Sequence, residues 1–251
     1  MIKRLLSRAV PEHEWPIWAL PLTVLLVFTL SGLVFYTAQF GPGMRDLQGV
    51  SYSPTADPAR VRVEVGGALF AIPAHYTRNG QTRRGNDLQF GELHALLPGM
   101  TPWTREQAAG FLDTGANSLL VTISLRAAKR EIAESAVFDA LYKPYLAGAG
   151  QVREDRLQAF RFRSDSPYAN KEVFRALTTG SQDERDAAPM FICDLADAPS
   201  PTCESRFDIG SAAQASYRFK RAHLSKWAST DRQLKDLIRN FRAAARSLSQ
   251  R

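Results

Sequence analysis

Residues 227–244 read WASTDRQLKDLIRNFRAA. On a helix, Trp227, Leu234, Leu237, Ile238 and Phe241 fall into one apolar stripe, while Lys235, Asp236, Arg239 and Arg242 face outward. A helix of this kind needs an apolar surface to cover, and the chain before it supplies strands. Residues 157–163, LQAFRFR, alternate so that Phe160 and Phe162 share one face and Arg161 and Arg163 the other. Residues 61–65, VRVEV, alternate in the same way and turn at Gly66 and Gly67 into ALFAIP, a hairpin pattern. The run LLVTISL at 119–125 has the β-branched content of a central strand. Further strands are expected at 189–195, 206–209 and 217–220, the last two forming an antiparallel pair joined by the small residues of 210–216. Strands closed by a terminal amphipathic helix predict an α+β fold, an antiparallel sheet with a packed C-terminal helix.

Between these elements, 77–86 carries Arg78, Arg83 and Arg84 among Asn, Gly and Gln and reads as an exposed basic loop. Residues 93–103 form a short apolar element broken by Pro98-Gly99 and Pro102. A helix start at 104–107 runs toward Leu112, and a short helix over 128–140 leads to the aromatic pair Tyr142 and Tyr145.

The N-terminal part has a different character. Residues 16–38, PIWALPLTVLLVFTLSGLVFYTA, contain no ionisable side chain except Tyr36. A run of this length suffices for a transmembrane helix, which needs about 20 apolar residues. Trp15, Trp18 and Tyr36 stand near its ends, where amphipathic rings favour the headgroup layer. Lys3, Arg4 and Arg8 in the preceding flank favour a cytoplasmic N-terminus and an exported remainder. A cleaved signal peptide shares that polarity, but its apolar region spans only about 7–15 residues and ends at small ones. Here the run ends in the bulky Phe35 and Tyr36. The expected organisation is a cytoplasmic flank (1–15), a membrane anchor in the lipid bilayer (16–38), a Gly/Pro/Ser-rich tether (39–60) and one extracytoplasmic domain (61–251).

The net charge is +7, and the flank contributes only one of it, three basic side chains against two acidic. Such an excess suits anionic lipid, wall polymer or an acidic protein. Nucleic acid is not expected, because the domain is placed outside the cytoplasm and no zinc-finger, RRM or helix-turn-helix signature occurs. The two cysteines, Cys193 and Cys203, bracket a Pro-rich stretch and both fall in the exported part. That placement predicts a disulfide closing a short loop, worth about 3 kcal/mol.

Evidence for catalysis is sparse. His75, His94 and His223 are widely spaced and form no compact ligand pattern, so no metal or cofactor is expected. Gly-x-Ser-x-Gly, P-loop and dinucleotide signatures are missing. The string FLDTGANSLLV at 111–121 resembles the active-site loop of aspartic proteases, in which apolar residues flank Asp-Thr-Gly. The resemblance implies Asp113 as a carboxylate activating water with a second one, from a homodimer, since the triplet occurs once. A helix ending at Asp113 and turning through Gly115 into the strand at Leu119 explains the same residues.

These observations lead to a single-pass, membrane-anchored envelope protein, sited at the plasma or bacterial inner membrane with its domain on the extracytoplasmic side, which is the periplasm if the cell is Gram-negative. Its exported domain is expected to bind or sense a protein partner without catalysis. Arg83, Arg84, Arg161 and Arg163 are the candidate contact residues. The alternatives are an envelope hydrolase using Asp113 and a structural subunit of a membrane complex.

Overall fold

The computed structural model describes residues 19–40, 51–88, 90–128, 134–177 and 188–249. The chain divides into two units, Met1–Gln48 and Gly49–Arg251. The first contains helix α1, Ala19–Phe40. Its side chains are described over 21–31, and all of these are exposed. Among the described residues, no helix is long and apolar enough to cross a membrane. The crossing expected over 16–38, whose first residues lie outside the described ones, is therefore not supported here and is retained only as a proposal.

The second unit is an α+β fold. Strands β1 (Arg60–Val65) and β2 (Ala68–Pro73) form the expected hairpin. The short helix α2 (Gly80–Arg83) leads to β3 (Asn86–Leu88), which joins β1 in parallel and completes a three-stranded sheet. The second sheet is antiparallel throughout. Its strands are β4 (Phe90–Leu96), β5 (Leu120–Ala127), β6 (Gln151–Val152), β7 (Leu157–Arg161), β8 (Lys171–Ala176), β9 (Met190–Asp194), β10 (Thr202–Ile209) and β11 (Ala213–Lys220), in the spatial order β4-β5-β11-β10-β9-β8-β7-β6. Helix α3 (Ala108–Leu112) lies between β4 and β5, and α4 (Glu134–Val137) continues into a wider π turn at Phe138–Tyr142. Helix α5 (Trp227–Ser249) ends the described chain.

The strand period puts Leu93, Ile123, Tyr217, Phe191 and Phe174 on one face of the large sheet. These side chains are buried with Val63, Val65, Phe70 and Ile72 of the small sheet and with Leu234, Ile238 and Phe241 of α5. The apolar stripe read from 227–244 is thus the face that closes the core. Gly66 turns the β1–β2 hairpin at φ +58, and a Cβ there would lie 2.5 Å from the Ala212 carbonyl oxygen, so the hairpin tip reaches its neighbour only as glycine. Cys193 and Cys203 are register partners on β9 and β10 and form the expected disulfide inside this core, with Cα atoms 4.0 Å apart.

The opposite face of the large sheet carries a smaller apolar cluster. Phe160 and Phe162 turn away from Arg161 and Arg163, as their alternation predicts, and pack with Phe138 and Val173 beneath Tyr142, Tyr145 and Tyr168. Helix α4 and its π turn supply part of that cover.

Two expectations change in the structure. Residues 51–59 of the expected tether lie along the domain: the Ser53 amide donates to the Arg78 carbonyl, and the His75 and Ala74 amides donate to those of Asp57 and Ala59. The 77–86 stretch is not an open loop. Asn79 caps α2 by accepting from the Thr82 amide at 2.9 Å, and Thr82 is buried.

Candidate functional site

A groove of about 430 Å³ opens on the outer face of the large sheet. Its floor is Met190 and Ile192 of β9. These residues point outward because Phe191 and Cys193, at the alternate positions, face the core. Val137, Tyr142 and Tyr168 form one wall. The two tyrosine rings meet edge to face with centroids 5.3 Å apart, a geometry that fixes both while leaving them partly exposed.

The facing wall is charged. Glu204 and Arg206 are outward residues of β10, and Arg218 is the register partner of Glu204 on β11. The Glu204 carboxylate accepts from Arg206 through Oε1 at 3.1 Å and from Arg218 through Oε2 at 2.9 Å. Burial raises the Glu204 carboxyl, but the Arg218 hydrogen bond and the charges of both arginines outweigh it and hold it below the usual range. The guanidinium groups stay open to solvent, with side chains 51% exposed at Arg206 and 61% at Arg218. At the end of the groove, Lys171 pairs with Asp194, whose other oxygen accepts from the amide and hydroxyl of Thr202.

This arrangement can do one thing well. An apolar and aromatic strip lies beside oriented guanidinium donors, which suits docking of a protein segment. Among the described residues, no group of three or more His, Cys, Asp or Glu side chains could hold a metal ion.

The candidates named from sequence lie elsewhere and apart. Arg83 is turned inward, donating to Thr77 Oγ1 at 3.1 Å and Ser53 Oγ at 2.6 Å, while Arg84 is exposed. Arg161 pairs with Glu172 and Arg163 with Asp165, and both arginines are exposed. Helix α2 packs on β4 and Arg161 is on β7, six strand spacings away, or about 29 Å at 4.8 Å per strand. The four arginines therefore make no common patch. Asp113 is exposed and follows helix α3, and its Oδ1 accepts from the Gly115 amide at 2.8 Å. That helix and turn match the turn account of the DTG triplet, whereas the aspartic protease loop follows a strand.

The three histidines of the domain are also dispersed. His94 is buried against Phe111, and His75 lies beside Tyr76. His223 meets the carbonyls of Asn117 and Ser118, fastening the loop after Asp113 to the turn before α5.

The groove residues were missed because they come from five separate segments. One signal was present: Thr202, Glu204, Arg206 and Asp208 make every outward position of β10 polar. Such a face reads as ordinary solvated surface until the aromatic wall is placed beside it.

No protein family model matches the chain, and no curated protein matches it. In fold it is similar to an immunity protein of the Stenotrophomonas maltophilia type IV secretion system, with 15% sequence identity and a TM-score of 0.53. The match covers 73% of this chain and 93% of that chain. At this identity the likeness is one of fold.

Proposed function

We propose that this chain is an envelope protein of the immunity type, whose extracytoplasmic domain binds a protein partner in the outer-face groove. The observation that carries the reading is the groove itself, with Tyr142, Tyr168, Met190 and Ile192 facing the Glu204, Arg206 and Arg218 cluster. Aromatic residues, Met and Arg are the side chains enriched at protein interfaces. The fold likeness to an immunity protein favours a protein as the ligand class. The Cys193–Cys203 disulfide suits an oxidising compartment.

Anchoring through 16–38 belongs to the same proposal. Consecutive exposed residues Val24, Leu25, Leu26, Val27 and Phe28 make α1 apolar on all sides, the pattern of a helix surrounded by lipid or other apolar matter. With Lys3, Arg4 and Arg8 retained in the cytoplasm, the domain faces the extracytoplasmic side, the periplasm if the cell is Gram-negative.

The test is photocrosslinking of the full chain in intact cells, with p-benzoylphenylalanine placed at Tyr168 in the groove or at Ala243 on the exposed side of α5. The proposal expects a discrete light-dependent protein adduct from Tyr168 and none from Ala243. No adduct at Tyr168, or equal adducts from both positions, overturns it.

A further inference from the structure

Among the residues lining the groove, the charged wall has more guanidinium groups than carboxylates. Arg206 and Arg218 bring two positive charges against the single Glu204, and Lys171 is already matched by Asp194. Each guanidinium carries five N–H donors in a rigid plane. Arg206 spends Nε and Nη2 on one oxygen of Glu204, and Arg218 spends Nη2 on the other. Glu204 thus orients both planes from below without matching their combined charge.

Orientation matters because an arginine held in place loses less side-chain freedom when it binds. Cross-strand pairing on β10 and β11 fixes the spacing of the two groups. Met190 and Ile192 lie beside them, with Tyr142 and Tyr168 beyond. A Met floor adapts to irregular side chains, and the tyrosines present both ring surface and hydroxyl.

Resting on the groove reading above, we infer that the occupant is a segment of the partner protein bearing at least one Asp or Glu next to an apolar side chain. The carboxylate binds between Arg206 and Arg218 as the second anion of the cluster. The apolar side chain lies on Met190 and Ile192 against the tyrosine wall. A basic segment is rejected, since it would add positive charge beside two guanidinium groups that share the single carboxylate of Glu204.

The experiment extends crosslinking from Tyr168 in the full chain. The adduct is digested and its partner peptide sequenced by mass spectrometry, and adduct yield is compared among the parent, an Arg206→Glu plus Arg218→Glu chain and a Glu204→Gln chain. The expected peptide contains Asp or Glu beside an apolar residue. Yield falls about tenfold or more on double reversal, the scale of losing charge-assisted contacts, and is kept or raised by Glu204→Gln. Salt provides a second measure on the unaltered chain, where yield declines as ionic strength rises. A peptide without carboxylates, or a yield indifferent to salt, overturns the inference while leaving the groove as the contact site. Loss of yield in Glu204→Gln as deep as in the double reversal also overturns it. Failure of the parent chain to give any adduct overturns the groove reading together with the inference.

Discussion

Acidification should weaken this domain through one buried imidazole. His94 is 1% exposed, with its ring centroid 4.7 Å from Phe111 and 5.9 Å from Tyr52, and its Nε2 has no hydrogen-bond partner among the described residues. Burial, followed by the Arg78 charge and a smaller effect of Arg83, lowers its pKa from 6.5 to about 4, against an opposing hydrogen bond with the His75 backbone. Because the folded value lies below the unfolded one, the unfolded chain takes up the proton first as pH falls. The contribution is fully present above pH 6.5 and is lost as pH drops toward 4. At about 1.36 kcal/mol per unit, complete titration is worth about 3 kcal/mol, and about 2 kcal/mol is gone by pH 5.

Urea unfolding of the full chain in detergent, followed by tryptophan fluorescence at pH 8, 7, 6 and 5, measures this loss. His94→Leu removes the titration and should lose about 2 kcal/mol less than the parent between pH 8 and 5. His75, also lowered by burial, is kept in both chains and cancels in the difference. Glu204 and Asp194 have carboxyls held below their usual range, so their contributions are lost only at lower pH. Equal pH dependence in the two chains would refute the assignment.

Three further outcomes follow from particular contacts. Cys193→Ala with Cys203→Ala opens a crosslink of sequence separation 10 inside the core and should cost about 3 kcal/mol in the same urea assay; a loss below about 1 kcal/mol would contradict that role. Tyr217 donates to Asp231 Oδ1 at 2.8 Å, and Lys235 pairs with the other oxygen, tying α5 to β11; Tyr217→Phe should cost about 1–3 kcal/mol in a thermal melt. Burial and the Asp231 charge raise the Tyr217 pKa well above 10, so this stabilisation is present below pH 10 and lost above it, a dependence that Tyr217→Phe removes. Protease added to spheroplasts should digest the domain without detergent if it is exported, and digestion only after lysis would count against the proposed orientation.

The fold was legible wherever one face of an element is buried and the other solvated. The hairpin at β1 and β2, the alternation at β7 and the stripe of α5 are of that kind, as is the placement of Cys193 and Cys203. Strand β4 was obscured because both its faces are covered: Leu93 and Ala95 face the core, while His94 meets Phe111 and Tyr52 on the other side. Burial within β4 is therefore nearly continuous, and Pro98 and Gly99 just beyond it read as a break in the sequence. The 51–59 segment reads as a tether because much of its attachment to the domain is through backbone hydrogen bonds, which composition does not reveal, beside the Tyr52 and Ser53 side-chain contacts.

The site was less legible for a geometric reason. Tyr142, Tyr168, Met190, Glu204 and Arg218 span much of the domain sequence, and only the order β11-β10-β9-β8 brings them to one surface. Arginines adjacent in sequence drew attention first, yet Arg83 is occupied as an internal clamp.

The most direct measurement is hydroxyl-radical footprinting of the full chain, free and bound to the protein captured from Tyr168. The account predicts that labelling of Met190, Tyr142 and Tyr168 falls in the complex while Leu248, exposed near the end of α5, keeps its labelling. Unchanged labelling of Met190 and both tyrosines, with protection at α5 instead, would contradict the groove as the contact site.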